Sequence, residues 1–330
     1  MRFGDVPLEE ADGAILAHSH PLSSGRLRKG ARLDRDTLSK LADEGVSRVV
    51  VACPEADDLD EDAAADRIAR TLVPDPEGAG LRLTAATTGR VNLIATGPGL
   101  LSLDVEAIHR LNRIDPMVTL ATLPPLSRVA EGTMVGTVKI ISYAVPSRNV
   151  SAAAEAAQGA MTILPPCLST AELIITDIGA GPGKGEAAVA TRLERLDMIL
   201  TATRVVAHTT EAISTAVARA EAELLLILTA SATSDPADVG PAGLMAAGGE
   251  LTRFGMPVDP GNLLFYGRIG PRPVIGLPGC ARSPALNGAD WVLDRIACGR
   301  DPSPDDIAAM GVGGLLKESP RRPHPRAKKA

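Results

Sequence analysis

Three stretches of small, hydroxylated and charged residues stand where strand-like runs give way to other structure, and their side chains suit the recognition of an anion. The first is Thr229-Ala230-Ser231-Ala232-Thr233-Ser234-Asp235-Pro236-Ala237-Asp238-Val239-Gly240-Pro241, which follows the apolar run of residues 224 to 228. Small residues let backbone N–H groups approach an anion closely, Ser231, Thr233 and Ser234 add hydroxyl donors, and a helix starting near Pro241 brings about half a positive charge to its N-terminus. Asp235 and Asp238 would repel a bare phosphate. They fit the site if a Mg²⁺ ion bridges carboxylate and phosphate, or if they accept from the amino groups of a heterocycle. The same residues suit helix capping and the satisfaction of loop backbone, and the sequence leaves both readings open. The second stretch, residues 255 to 262, contains Asp259-Pro260-Gly261-Asn262, by itself an ordinary turn. The third is Gly276-Leu277-Pro278-Gly279-Cys280-Ala281-Arg282-Ser283-Pro284, where Arg282 offers a planar pair of donors to phosphate.

Other reactive residues point nowhere as clearly. Cys280 has no histidine near it in sequence and reads as a small, partly buried thiol rather than a nucleophile. His18, His20, His109, His208 and His324 show no metal-ligand spacing beyond His18-Ser19-His20, which reads as two solvated loop residues. The Gly-rich run from 179 to 183 lacks the Lys-Ser/Thr pair of a P-loop.

The elements that must position these loops follow from periodicity. Residues 173 to 176 and 224 to 228 are continuously apolar or β-branched, as strands buried on both faces should be, and residues 204 to 207 form another strand. Val189, Leu193 and Leu196, then Ile213, Val217 and Ala220, mark helices between them. Ser283-Pro284 predicts the start of the last helix, ending near Gly299. Alternation of this kind implies parallel βαβ units. Before Pro165-Pro166 the pattern is mixed: helices are expected over 34–44, 55–72, 105–113 and 151–161, with strands at 46–51 and 135–145. The domains expected are an accessory α+β region over 1–165, an α/β domain over 166–300, and a tail over 301–330, basic and Pro-rich at its end.

Composition narrows the function classes. Of 330 residues, 45% are hydrophobic and only 2% aromatic, so the core must rest on small and aliphatic side chains. Four cysteines without a CxxC pair suggest a reducing compartment, and no apolar run is long enough to span a bilayer, so a cytoplasmic protein with no membrane partner is expected. The net charge is −6, with +5 concentrated in residues 317–330 and −11 in the rest. An acidic body poor in aromatics has neither the charge nor the stacking platforms for nucleic acid.

Taken in order, the three loops resemble the molybdenum-cofactor biosynthesis domain shared by molybdopterin molybdotransferases and adenylyltransferases. Thr229 to Thr233 resembles the family's Thr-Gly-Gly-Thr/Val-Gly/Ser, and Asp238-Val239-Gly240-Pro241 its Asp-Val-x-Pro. Asp259-Pro260-Gly261-Asn262 stands where the family has Lys-Pro-Gly-Lys, and Gly276-Leu277-Pro278-Gly279-Cys280-Ala281-Arg282-Ser283 stands where it has Gly-Leu-Pro-Gly-Asn-Pro-Val-Ser. The likeness covers residues 171 to 300; a looser one, over residues 30 to 51, touches the accessory region. It implies a doubly wound, mostly parallel sheet and a molybdopterin or molybdenum-cofactor ligand held by Thr229, Ser231, Thr233, Ser234, Asp235, Asp238, Asp259, Gly261, Asn262, Gly279, Arg282 and Ser283. Mg²⁺ would sit on Asp235 and Asp238, and the assembly would be a homo-oligomer. The family's paired glycines are here Ala230 and Ser231, and its loop lysines are Asp259 and Asn262. Lost positive charge favours binding, storage or hand-over of the cofactor to a nucleotidyltransferase or molybdoenzyme over catalysis. The alternatives are an active molybdotransferase with an altered site, in which Asp238 is catalytic; an assembly scaffold with a vestigial pocket; and a domain that has taken up another nucleotide.

Overall fold

The computed structural model describes residues 1–179, 181 and 183–316, so part of the Gly-rich run and the whole basic tail lie outside the described residues. The chain divides into two compact units. One comprises residues 1–97 and 101–163, the other 98–100 and the chain from 164 onward. Among the described residues, no helix is long and apolar enough to cross a membrane.

The first unit is mixed α and β. A four-stranded antiparallel sheet, with Met134–Ile140 between Val118–Thr122 and Arg90–Ala95, packs Leu93, Val135 and Val138 into one core with Ile68, Leu72 and Leu111 from the helices Glu61–Leu72 and Val105–Ile114. The first of these helices begins later than its acidic run suggests, because Asp60 caps it by accepting from the Ala63 N–H. The Ala-rich helix runs over Ser147–Ala156 rather than 151–161. Its buried stripe, Val150, Ala153, Ala154 and Ala157, starts earlier, and Gly159 at φ +68° breaks it so that Met161–Leu164 becomes a strand.

The second unit carries the loops of interest. Its elements are β1 (Thr170–Asp177), α1 (Gly185–Glu194), β2 (Ile199–Ala207), α2 (Thr210–Ala218), β3 (Leu224–Leu228), α3 (Val239–Ala246), β4 (Glu250–Phe254), β5 (Phe265–Ile269), β6 (Arg272–Leu277), α4 (Gly288–Ala297) and α5 (Pro304–Ala309). Six strands form one sheet in the order β2-β1-β3-β6-β5-β4, the first four parallel and β5 antiparallel to both of its neighbours. Alternate residues of the central strands enter opposite cores. Leu173, Ile175, Leu224, Leu226 and Leu228 pack with Val189 and Leu193 of α1 and Val292 and Leu293 of α4. Ile174, Leu225 and Ile227 pack with Ile213 and Val217 of α2 and Leu244 of α3. A strand apolar at every position is therefore covered on both faces. α5 adds Ile307 and Met310 to the first of these cores, so the segment read as a tail starts with packed structure.

The polar residues inside this unit are paired. Glu172 on β1 is 4% exposed and accepts from the Glu221 and Ala222 N–H groups and from Arg204 Nε. Burial pushes its carboxyl up, but those two backbone donors and the guanidinium together hold it below the ordinary carboxylate value. Its contribution to stability is thus complete above the unfolded value near 4.5 and is lost as pH falls through the lower folded value. Acid titration of unfolding should show this loss in the parent protein and a flatter profile in Glu172→Gln; identical profiles would remove Glu172 as the cause.

Candidate functional site

The register places the three loops on one edge. β1, β2, β3 and β6 are parallel, so their carboxyl ends lie together, and the antiparallel pairing of Phe265 with Gly276 returns the β4–β5 loop to the same side. The chain winds from β1 through α1 to β2 on one flank, then through α2 to β3 on the other. Between β1 and β3, the loops leave for helices on opposite faces, which is where open α/β sheets form a ligand crevice.

Four segments meet at that switch point. From β3, Thr229 is buried and its hydroxyl donates to the Ser231 carbonyl at 2.7 Å, with Thr233 Oγ1 at 3.2 Å. From β6, the Arg282 guanidinium donates to the Thr229 carbonyl at 3.0 Å. The same guanidinium packs beside Gly183 and Gly185, where a Cβ would lie 3.7 and 3.3 Å from Nη1. Gly185 opens α1, so a cation and the positive end of a helix dipole share one place, a combination that attracts an anion. From β1, Asp177 accepts from the Gly179 and Gly181 N–H groups at 3.0 and 2.9 Å, and a carboxylate thus already fills part of the Gly-rich turn. From β2, His208 reaches Thr176, as described below.

The acidic residues of the first loop act as caps. Asp238 is the N-cap of α3, accepting from Val239 N–H at 2.7 Å on one oxygen and from Ser234 N–H at 3.0 Å on the other. Asp235 accepts from Ala237 N–H at 2.7 Å. Among the described residues no group of three or more His, Cys, Asp or Glu side chains is arranged to hold a metal ion. These carboxylates fit capping better than Mg²⁺ binding. Ser231 and Ser234 are exposed on the loop surface.

The other expected site residues divide. Gly279 opens a short 3-10 turn, Gly279–Arg282, with open space where a Cβ would be, and Ser283 Oγ accepts from the Ala285 N–H. Asp259, Gly261 and Asn262 lie in the loop between β4 and β5, on the same edge. Asp259 pairs through its backbone with Gly314 and Leu316, Gly261 abuts Gly288 so closely that a Cβ would lie 2.6 Å from its nitrogen, and Asn262 donates to the Met256 carbonyl. Gly276 serves packing: a Cβ there would lie 1.9 Å from the Phe265 ring.

One organiser is invisible to motif reading. Arg192 of α1 is 2% exposed and pairs with Asp290 at 2.8 Å. Its remaining donors bond the carbonyls of Ala188, Ala281, Ser283 and Ala285, so it holds the loop that carries Arg282. This explains why α4 does not open at Ser283-Pro284. Those carbonyls are committed to Arg192, and the helix starts at Gly288 with Asn287 and Asp290 in a reciprocal capping box. The one sequence signal was an arginine beside the apolar stripe of Val189, Leu193 and Leu196.

No family model matches the chain, and no curated protein does. Among solved structures it is similar to the molybdopterin biosynthesis MoeA protein from Pyrococcus horikosii, with a TM-score of 0.32 and 14% identity over 91% of this chain and 76% of that one. It is also similar to a molybdenum cofactor biosynthesis protein from Pyrococcus furiosus, with a TM-score of 0.26 and 12% identity over 97% and 66%. For molybdenum cofactor biosynthesis protein B the TM-score is 0.25 and the identity 14% over 39% and 88%. At these TM-scores the likeness carries no argument about the present chain. Its architecture rests on the sheet and loops described above, a mixed α/β unit built on a six-stranded sheet.

Proposed function

We propose that the crevice between the β1 and β3 loops binds the phosphate of a molybdopterin-type pterin, and that the protein binds or hands on this cofactor to a nucleotidyltransferase or molybdoenzyme. The observation that carries the reading is Arg282, held on the Thr229 carbonyl beside the first turn of α1, in a loop whose Gly276-Leu277-Pro278-Gly279 resembles the family's Gly-Leu-Pro-Gly. A guanidinium and a helix N-terminus converging at a topological switch point form an anion site. Binding is favoured over transfer because the positions of the family's loop lysines are Asp259 and Asn262. Transfer needs positive charge where negative charge develops.

The test uses protein purified from a host that makes molybdopterin, denatured and oxidised so that the fluorescent pterin product can be measured by chromatography. Near-stoichiometric pterin is expected. Arg282→Met removes the donors that carry the reading, and its pterin content should fall at least tenfold. Absence of pterin from the parent protein, with none acquired when cofactor is supplied, would overturn the reading.

A further inference from the structure

A single peptide unit in the binding loop is gripped from both sides. The carbonyl of the Thr229–Ala230 peptide accepts from Arg282 at 3.0 Å, and its N–H donates to Thr176 Oγ1 at 2.7 Å. Thr176 is 1% exposed, and its hydroxyl lies 2.9 Å from Nδ1 of His208. The chain of bonds therefore runs from Arg282 after β6, through the peptide after β3 and the end of β1, to His208 just beyond β2. It crosses all four parallel strands. His208 is anchored in turn by its own N–H, which donates to the Asp177 carbonyl at 3.2 Å.

The hydrogen accounting gives the histidine a definite task. The Thr176 oxygen accepts the Ala230 N–H, and its own proton needs an acceptor, since a buried hydroxyl left unsatisfied is destabilising. Neutral imidazole with the proton on Nε2 supplies that acceptor at Nδ1. The Thr229–Ala230 peptide is the first of the loop, so its plane directs the N–H groups and hydroxyls that follow. The peptide is thus held by a donor, Arg282, on its carbonyl and by an acceptor, the Thr176 hydroxyl oxygen, on its N–H.

We propose that His208 is a positioning residue of the anion site: through the Thr176 hydroxyl it fixes the Thr229–Ala230 peptide and with it the orientation of the binding loop. This rests on the proposed pterin-phosphate reading for its ligand but not for its geometry, and the experiment separates the two. The proteins compared are the parent, His208→Leu, His208→Asn, Thr176→Val and the Leu/Val double variant. Pterin content, melting point and hydrogen exchange of the Ala230 amide are measured on each. His208→Leu and Thr176→Val should each lower pterin content about tenfold, the double variant no further than either, because residues of one network are not additive. His208→Asn presents an amide near the place of Nδ1 and should restore most of the binding. Ala230 exchange should accelerate about tenfold or more in His208→Leu and return towards the parent rate in His208→Asn, as expected for loss and repair of one local bond. Unchanged exchange in His208→Leu, or failure of a folded His208→Asn to restore it, overturns the positioning role. A parent protein without pterin that still shows the exchange pattern overturns the ligand reading and leaves the relay standing.

Discussion

Replacing Arg192 by Met should destabilise the second unit by about 3–5 kcal/mol, the range for removing one partner of a buried ion pair. The loss has two sources. Asp290, 3% exposed or less, would keep its charge without the guanidinium that compensates it. The carbonyls of Ala281, Ser283 and Ala285 would lose their donors in a loop with no regular structure to replace them. Arg192→Lys should fall between the two proteins, since an ammonium offers three donors and no planar fork. Asp290→Asn combined with Arg192→Met should regain part of the loss, because it removes the stranded charge while keeping a side chain able to accept the Asn287 N–H of the capping box. Urea unfolding of the four proteins measures this. A midpoint for Arg192→Met indistinguishable from the parent would mean that water or repacking satisfies Asp290, and that the loop does not depend on Arg192.

Arg282→Met should leave the fold in place and lower the affinity for pterin phosphate by roughly 10- to 100-fold, the equivalent of one charge-assisted hydrogen bond. Met keeps much of the side-chain length against Gly185 and Leu228 but removes every donor. The Thr229 carbonyl also loses a bond, so a fall in melting point of a few degrees is expected alongside, of the order that ~1 kcal/mol produces. Arg282→Lys should restore little, because the guanidinium must serve the Thr229 carbonyl and the ligand together. Pterin retention equal to the parent in Arg282→Met would place the phosphate elsewhere and remove the main support for the proposed function.

Much of the second unit was legible from residue order. Residues 173–176 and 224–228 read as strands covered on both faces, because they are apolar or β-branched throughout and too short for a buried helix. The helices between them followed from the apolar stripes at Val189, Leu193, Leu196 and Ile213, Val217. Asp238 could be read as a cap, and it is one. The three loops could be recognised because each carries its own composition, which is a local property.

What the tertiary structure decided is everything that depends on which strands are neighbours. Strand order placed the β1, β3 and β6 loops together at one end of the sheet and put Asp259, Gly261 and Asn262 in the loop between its last two strands, β5 and β4. It set Phe265 over Gly276, turning a motif glycine into a packing residue. It buried Arg192 against residues about a hundred positions away, and so moved the start of α4 from Ser283 to Gly288. It also joined Thr176, His208, Ala230 and Arg282, none of which lies within a dozen residues of another except through folding. The physical reason is the same throughout. Periodicity and capping act over a turn or two of chain, whereas a hydrogen bond between loops exists only once the sheet has set their spacing.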